Sequence, residues 1–339
     1  MSDRNSWADP GVFEVAAGVH RIPLPLPNDG LRAVNVYAIQ GGDGLTLIDS
    51  GWALTESLEL LEESLGQIGF DLGDIRRFLV THVHRDHYSQ AVVVRRMFGA
   101  KVSLGIGEIE NMNEILTSRS SIPQKLITRL TVAGGAEILR SSALVEYPLE
   151  ELDEREWEMP DDWLRHGDII KVGDRTLTAL STPGHTAGHI VFYDEAGGLL
   201  FSGDHILPTI TPSIGFESAP MLSPLSAYLS SLSLVAALGE SMLLPAHGPV
   251  HPSTATRVRE LQDHHKRRLE VTLAAVQAGA ATAVDVSRRL KWTRHAHDFH
   301  ALNTFNQILA TNETLAHLEV LAEEGAINVR TEESVKYFQ

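Results

Sequence analysis

The chain has 339 residues, 43% of them hydrophobic, and a formal net charge of -16. That length fits two domains, or one large domain with an appendage, and the mean hydropathy of -0.05 fits a globular chain with a sizeable core. The acid excess argues against a general binder of nucleic acid or anionic membrane, which needs Lys and Arg. The lack of cysteine excludes disulfides and thiolate metal sites.

No apolar run approaches the ~18 residues of a membrane span. The first six residues show no basic and apolar export pattern, so the cytoplasm is the expected compartment. Residues 12–15, 19–24, 34–39 and 45–49 are rich in β-favouring residues, and turn formers separate them. They predict four short strands, the last ending at Asp49-Ser50-Gly51. Asp49 fits two roles equally: a turn or helix cap, or a carboxylate that orients a metal-bound histidine. Leu58, Leu61, Leu65 and Ile68 recur at helical spacing and predict a helix over 55–69.

Phe78-Leu79-Val80 then reads as a buried strand leading into Thr81-His82-Val83-His84-Arg85-Asp86-His87. On a near-extended backbone His82 and His84 point the same way. After a turn, Asp86 and His87 face a second point. Imidazole and carboxylate suit borderline divalent metals such as zinc. Two groups of donors suggest two ions. A polar loop with chance histidines competes with this reading, because the chain has sixteen His. Four such residues directly after a strand favour ligation.

A second helix is expected over 89–98 and a strand over 101–104, which gives an α/β layering. Residues 108–163 break the pattern. Ile109, Met112, Ile115 and Leu116 predict one helix. Ile122, Leu126, Ile127 and Leu130 predict another, with Pro123 near its start. The acidic run 150–156 reads as a solvated surface, followed by Trp157 and Trp163. The whole segment is expected to be an insertion that caps a pocket.

Strands return at 168–172 and 176–180, the second leading into Pro183-Gly184-His185-Thr186. A hairpin is expected around Gly197-Gly198, its second strand ending at Ser202-Gly203-Asp204. Met242-Leu243-Leu244 ends at Pro245-Ala246-His247-Gly248. Four strands thus end in His or Asp beside turn residues. Singly, each of the later three reads as a turn former. Their recurrence at strand ends favours a site built from loops at one sheet edge.

Residues 257–330 are helical in pattern and end in a strand or wing. Residues 257–300 hold nine Lys/Arg against five Asp/Glu. A solvated helix face explains this excess better than a nucleic-acid surface. His295, His297 and His300 fit a stray metal no better than a polar loop.

The ordered motifs from His82 to His247 resemble the metallo-β-lactamase-fold hydrolases over residues 15–250. The helical tail resembles the winged-helix-like domain of one β-lactamase-like branch. The resemblance implies a four-layer αββα α/β domain over 1–252, carrying the 108–163 insertion, and a small C-terminal helical domain over 253–339. It implies one metal on His82, His84 and His185, a second on Asp86, His87 and His247, and Asp204 between them. Asp86 and Asp204 then belong to the catalytic centre. Two divalent ions are implied, zinc first, with iron or manganese as alternatives, and a metal-bridging hydroxide as nucleophile. The family often has Gly where this chain has Ser89. True β-lactamases of this fold lack the bridging Asp, and many use Cys at the position of Asp204.

These features lead to a metal-dependent hydrolase of an ester, thioester or lactone, with a small-molecule substrate. The alternative is a metal-dependent ribonuclease, which the tail and its basic excess support. A binding module with structural metals is a third reading, disfavoured because all seven ligands are present. The substrate and oligomeric state are not written in the motifs.

Overall fold

The structure is a computed structural model, and it describes residues 6–27, 30–117, 124–140, 156–217, 219, 221–292 and 297–339. Ile122, Pro123, the acidic residues 150–155 and His295 lie outside the described residues, as does the side chain of Leu126.

Seven strands form the first sheet, in chain order: β1 Phe13–Ala16, β2 Val19–Pro25, β3 Ala33–Gln40, β4 Leu45–Ile48, β5 Ile75–Leu79, β6 Lys101–Gly105 and β7 Asp162–Leu164. The second sheet has five: β8 Ile169–Val172, β9 Arg175–Ser181, β10 Ile190–Asp194, β11 Leu199–Gly203 and β12 Met242–Pro245, in the order β12-β11-β10-β9-β8. Residues 162 and 163, expected within the insertion, pair with β6 as part of β7.

The side-chain alternation of each strand explains the layering. In β3, Tyr37 and Ile39 point to the core between the sheets, while Val34, Val36 and Ala38 point the other way. In β11, Leu199 and Phe201 face inward and Leu200 faces outward. Tyr37 meets Phe201 edge-on, with ring centroids 5.4 Å apart. Burying a side chain of this size contributes about 1.5–3 kcal/mol.

The outer face of the first sheet is covered by α1 Thr55–Gln67 and α2 Arg85–Phe98. The outer face of the second packs on α6 Pro224–Ala236, α7 Thr254–Gln277 and α9 Thr304–Glu323. Helix, sheet, sheet, helix is the expected αββα order.

Three short helices follow β6: α3 Ile109–Thr117, α4 Gln124–Val132 and α5 Ala136–Arg140. Leu130, Ala133 and Ile138, on or beside α4 and α5, share one apolar cluster with α8 Ala283–Arg289, α9 and the C-terminal residues Ile327 and Phe338. The insertion therefore packs on the tail. Where a final strand or wing is expected, the chain forms a two-stranded hairpin, β15 Val329–Glu332 against β16 Val335–Phe338. A smaller pair, β13 Lys291–Trp292 and β14 His297–Asp298, precedes α9. No described helix is long and apolar enough to cross a membrane.

Candidate metal centre

β9, β11 and β12 run in the same direction, since β10 is antiparallel to β9 and β11 while β12 is parallel to β11. Their C-terminal ends deliver His185, Asp204 and His247 to the edge where β5 delivers His82. The two sheets touch closely there. A Cβ on Gly203 would lie 2.6 Å from Thr81 Oγ1 and 2.8 Å from His189 Nε2, so the end of β11 requires glycine.

Helix α2 begins earlier than the apolar pattern suggests. It starts at Arg85, with His84 as its extended N-cap, so Asp86 and His87 stand in the first helical turn instead of a loop. A carboxylate in that turn is favoured by the helix dipole.

Four of the five histidines are oriented by a partner behind the ring. His87 Nδ1 donates to Asp49 Oδ2 at 2.9 Å, His247 Nδ1 to the Ala33 carbonyl at 2.7 Å, and His185 Nδ1 to the Ser213 carbonyl at 2.8 Å. His82 Nδ1 lies 3.1 Å from Thr81 Oγ1, which itself donates to Asp49. These acceptors place the ring proton on Nδ1 and leave the Nε2 lone pair facing inward. Asp49 thus takes the orienting role. It accepts from the Thr81 backbone at 2.8 Å, it is 2% exposed, and it holds φ of 59°. The His247 loop is tied down by β3: Asn35 Nδ2 donates to the carbonyls of Pro245 and Gly248, and Tyr37 Oη donates to that of Pro245.

The inward atoms converge in overlapping sets. His84 Nδ1 lies 2.9 Å from His82 Nε2 and 3.2 Å from His185 Nε2. Nitrogens bound tetrahedrally to one zinc at about 2.0–2.1 Å stand about 3.3 Å apart. Beside this trio, Asp86 Oδ2 is 3.5 Å from His87 Nε2 and 3.4 Å from His247 Nε2. Asp204 sits between the sets. Its Oδ1 faces His247 Nε2 at 3.3 Å and His87 Nε2 at 3.7 Å, while Oδ2 faces His185 Nε2 at 3.5 Å. All seven residues expected at the site meet in these overlapping groups.

His87 Nε2, His247 Nε2 and Asp204 Oδ1 are buried and lack a hydrogen-bond partner. Such orphaned atoms are costly unless something binds them. Three of them facing one point, with His and Asp donors, fit a divalent metal site.

The electrostatics agree. Burial, then neighbouring imidazoles, pushes His82 far below its usual range, and His84 falls to about 3 for the same reasons. Burial also works against a proton on His87, but Asp86, Asp49 and Asp204 override it and push that group up to about 10. Burial would raise Asp204, yet His247, His87 and His185 hold it low. The pocket holds neutral donors on one side and demands positive charge on the other.

His189 lies within the Pro183–His189 motif, yet the sequence alone assigns it no role. Its Nδ1 is 3.0 Å from Thr182 Oγ1, and its Nε2 accepts from the Asp204 backbone at 3.2 Å. It stacks on His82, with centroids 5.1 Å apart. His297 and His300 lie on an exposed segment and join none of the convergent groups.

An αββα sandwich with a His/Asp cluster at its sheet edge defines a class, the metal-dependent hydrolases of the metallo-β-lactamase fold. The comparisons agree. Residues 29–247 match the model of the metallo-beta-lactamase superfamily, and the chain belongs to that family. It is 28% identical over 333 residues to the probable metallo-hydrolase YqjP of Bacillus subtilis, covering 94% of this chain and 96% of that one. It is 24% identical to the beta-lactamase-like protein 2 homolog of Caenorhabditis elegans, over 77% of this chain and 71% of the relative. Among solved structures, a metallo-beta-lactamase family protein from Thermus thermophilus superposes with a TM-score of 0.79 at 28% identity. That match covers 96% of this chain and 99% of the other. The chain is therefore a metal-dependent hydrolase whose fold implies a divalent metal.

Proposed function

We propose that this protein is a dinuclear hydrolase of an ester, thioester or lactone, loaded with zinc. His82, His84 and His185 would hold one ion, and Asp86, His87 and His247 the other. The observation that carries this reading is the placement of Asp204, with one carboxylate oxygen toward each set of histidines. When bound, the ions would supply Lewis acidity and lower the pKa of a bound water to about 7.

The chain's own groups do the rest. Asp49, Thr81, Ala33 and Ser213 hold the Nδ1 protons of His87, His82, His247 and His185, which turns the Nε2 atoms of these four rings toward the ions. His189 fixes the Asp204 backbone. His82, His87, His185, Asp204 and His247 are buried, which strengthens the charge interactions among them. The net charge of -16 favours a small substrate over a long polyanion. Arg85, next to Asp86, is engaged by both Glu156 oxygens at 2.8 and 3.2 Å and stacks over Trp52, so a cation close to the ligands is already committed.

Elemental analysis of the purified protein, followed by a panel of thioesters, lactones, carboxylic esters and RNA, tests the proposal. Two ions per chain with turnover of a carboxylic substrate supports it. RNA cleavage alone would replace it with the phosphodiesterase reading, and absence of bound metal would end it.

A further inference from the structure

Behind the candidate centre lies a second buried polar cluster that the proposed chemistry does not use. Glu108, at the end of the turn after β6, is 0% exposed. Its Oε1 accepts from the hydroxyl of Thr186, the neighbour of His185. Its Oε2 accepts from Asn111 Nδ2 at 2.7 Å, and the backbone of Val83, between His82 and His84, favours its ionised form. Asn111 also donates to Glu217 Oε2 at 3.0 Å, and Glu217 accepts from the Ala187 backbone at 2.9 Å.

The backbone is built for this contact. A Cβ on Gly188 would stand 2.2 Å from the Glu108 nitrogen, and one on Gly107 would stand 2.6 Å from the Ala187 carbonyl oxygen. Only glycine at both positions lets the two segments touch. A buried carboxylate is expensive, and this one is surrounded by donors from both ligand-bearing loops.

We propose that Glu108 is a positioning residue. Its carboxylate holds the loop carrying His185 in register with the loop carrying His82 and His84. This rests on the reading of those three histidines as ligands. Groups behind a metal's ligands typically contribute 10–100-fold to metal affinity.

The test titrates zinc chloride into the full-length apoprotein against a chromophoric chelator, for wild type and Glu108→Gln, with apoprotein melting temperatures measured at pH 8. Glu108→Gln is expected to bind zinc about 10–100-fold more weakly at one site, with a melting temperature no lower than wild type. Unchanged zinc affinity overturns the proposal. A melting temperature that drops along with the affinity also overturns it, because the role would then be general support of the fold. Thr186→Val removes only the hydroxyl donor and decides the matter if Glu108→Gln does not fold. Weaker zinc binding at unchanged melting temperature supports the proposal, and wild-type affinity overturns it. A wild-type protein that binds no zinc refutes the proposed function instead.

Discussion

Asp49 offers the sharpest perturbation of the candidate centre. Its carboxylate accepts three donors: the Thr81 backbone, the Thr81 hydroxyl and His87 Nδ1. Asn tolerates the left-handed backbone at this position, where φ is 59°. Asp49→Asn therefore keeps the shape and changes only the hydrogen-bond chemistry. The amide oxygen can still accept from Thr81, which turns the amide NH2 toward His87 Nδ1. Two donors then oppose each other. The conflict is relieved when the ring proton moves to Nε2, the atom that faces Asp86, Asp204 and the cavity. A protonated Nε2 has no lone pair for a metal. The expected cost is about 10–100-fold in affinity for the ion held by His87, or about 1.4–2.8 kcal/mol at 1.4 kcal/mol per tenfold. Zinc competition against a chelator measures it directly. Wild-type affinity in Asp49→Asn would show that the tautomer of His87 does not matter and would refute the argument.

Other outcomes follow from the same geometry. Asp204→Ala should lower bound metal from two ions to one and remove nearly all turnover while circular dichroism stays native; unchanged activity would deny it a place between the ions. Zinc in thousandfold excess over its Kd should stabilise the fold by about 4 kcal/mol, read as a melting transition that moves down by several degrees when a chelator is added. Burial, with the nearby Glu217 charge, pushes Glu108 up to about 7 against the donation of Thr186 and Asn111. Between about pH 4.5 and 7 the folded apoprotein thus keeps a proton that the unfolded chain has released, so stability falls as pH rises through that window. The fall due to this group is roughly 3 kcal/mol. Glu108→Gln should lose that part of the slope in urea melts at pH 5 and pH 8, while Glu217, raised in the same direction, keeps its own share. Identical slopes in the two proteins would contradict the assignment.

The seven converging residues were legible because they fall just after the ends of four strands, and strand patterns are strong local signals. Asp49 was only half legible: its sequence context fits a cap, and only the partner loop at Thr81 shows which role it takes. Glu108, Asn111 and Glu217 gave no signal, since their partners lie 78 and 106 residues away along the chain and each alone reads as an ordinary helix or loop residue. The helix Pro224–Ala236 stands outside the expected elements, although Leu225, Tyr228, Leu232 and Val235 recur at helical spacing behind a proline at its start. Tyr228 on that helix donates to the carbonyl of His205, next to Asp204, at 3.0 Å. The start of α2 at Arg85, four residues before the expected 89, was not legible because His84, Arg85 and Asp86 carry no apolar periodicity and His84 makes no side-chain cap.

Salt separates the two hydrolytic readings on physical grounds. Catalysis on RNA needs the chain to neutralise several phosphates, and binding through six to ten such contacts weakens about 10³–10⁵-fold between 50 and 200 mM salt. The C-terminal hairpin is poorly equipped for this. Arg330 is engaged by Glu332, and Lys336 is held by Glu319 at 2.8 Å. On α7, Arg257 bonds Glu260 at 2.8 Å and also the Leu207 carbonyl at 2.6 Å. Arg268 lies under Trp292 with Glu313 at 3.6 Å. Several basic residues of the tail are thus paired, while Arg259, Lys266 and Arg267 on α7 stay exposed, so only part of the local excess seen in the sequence is left as a cationic face. A neutral thioester or lactone substrate asks for no such face, and its kcat/KM should change little between 50 and 200 mM sodium chloride. A steep loss of kcat/KM over that range, for whichever substrate is turned over, would show that binding runs through released counterions and would favour the polyanion.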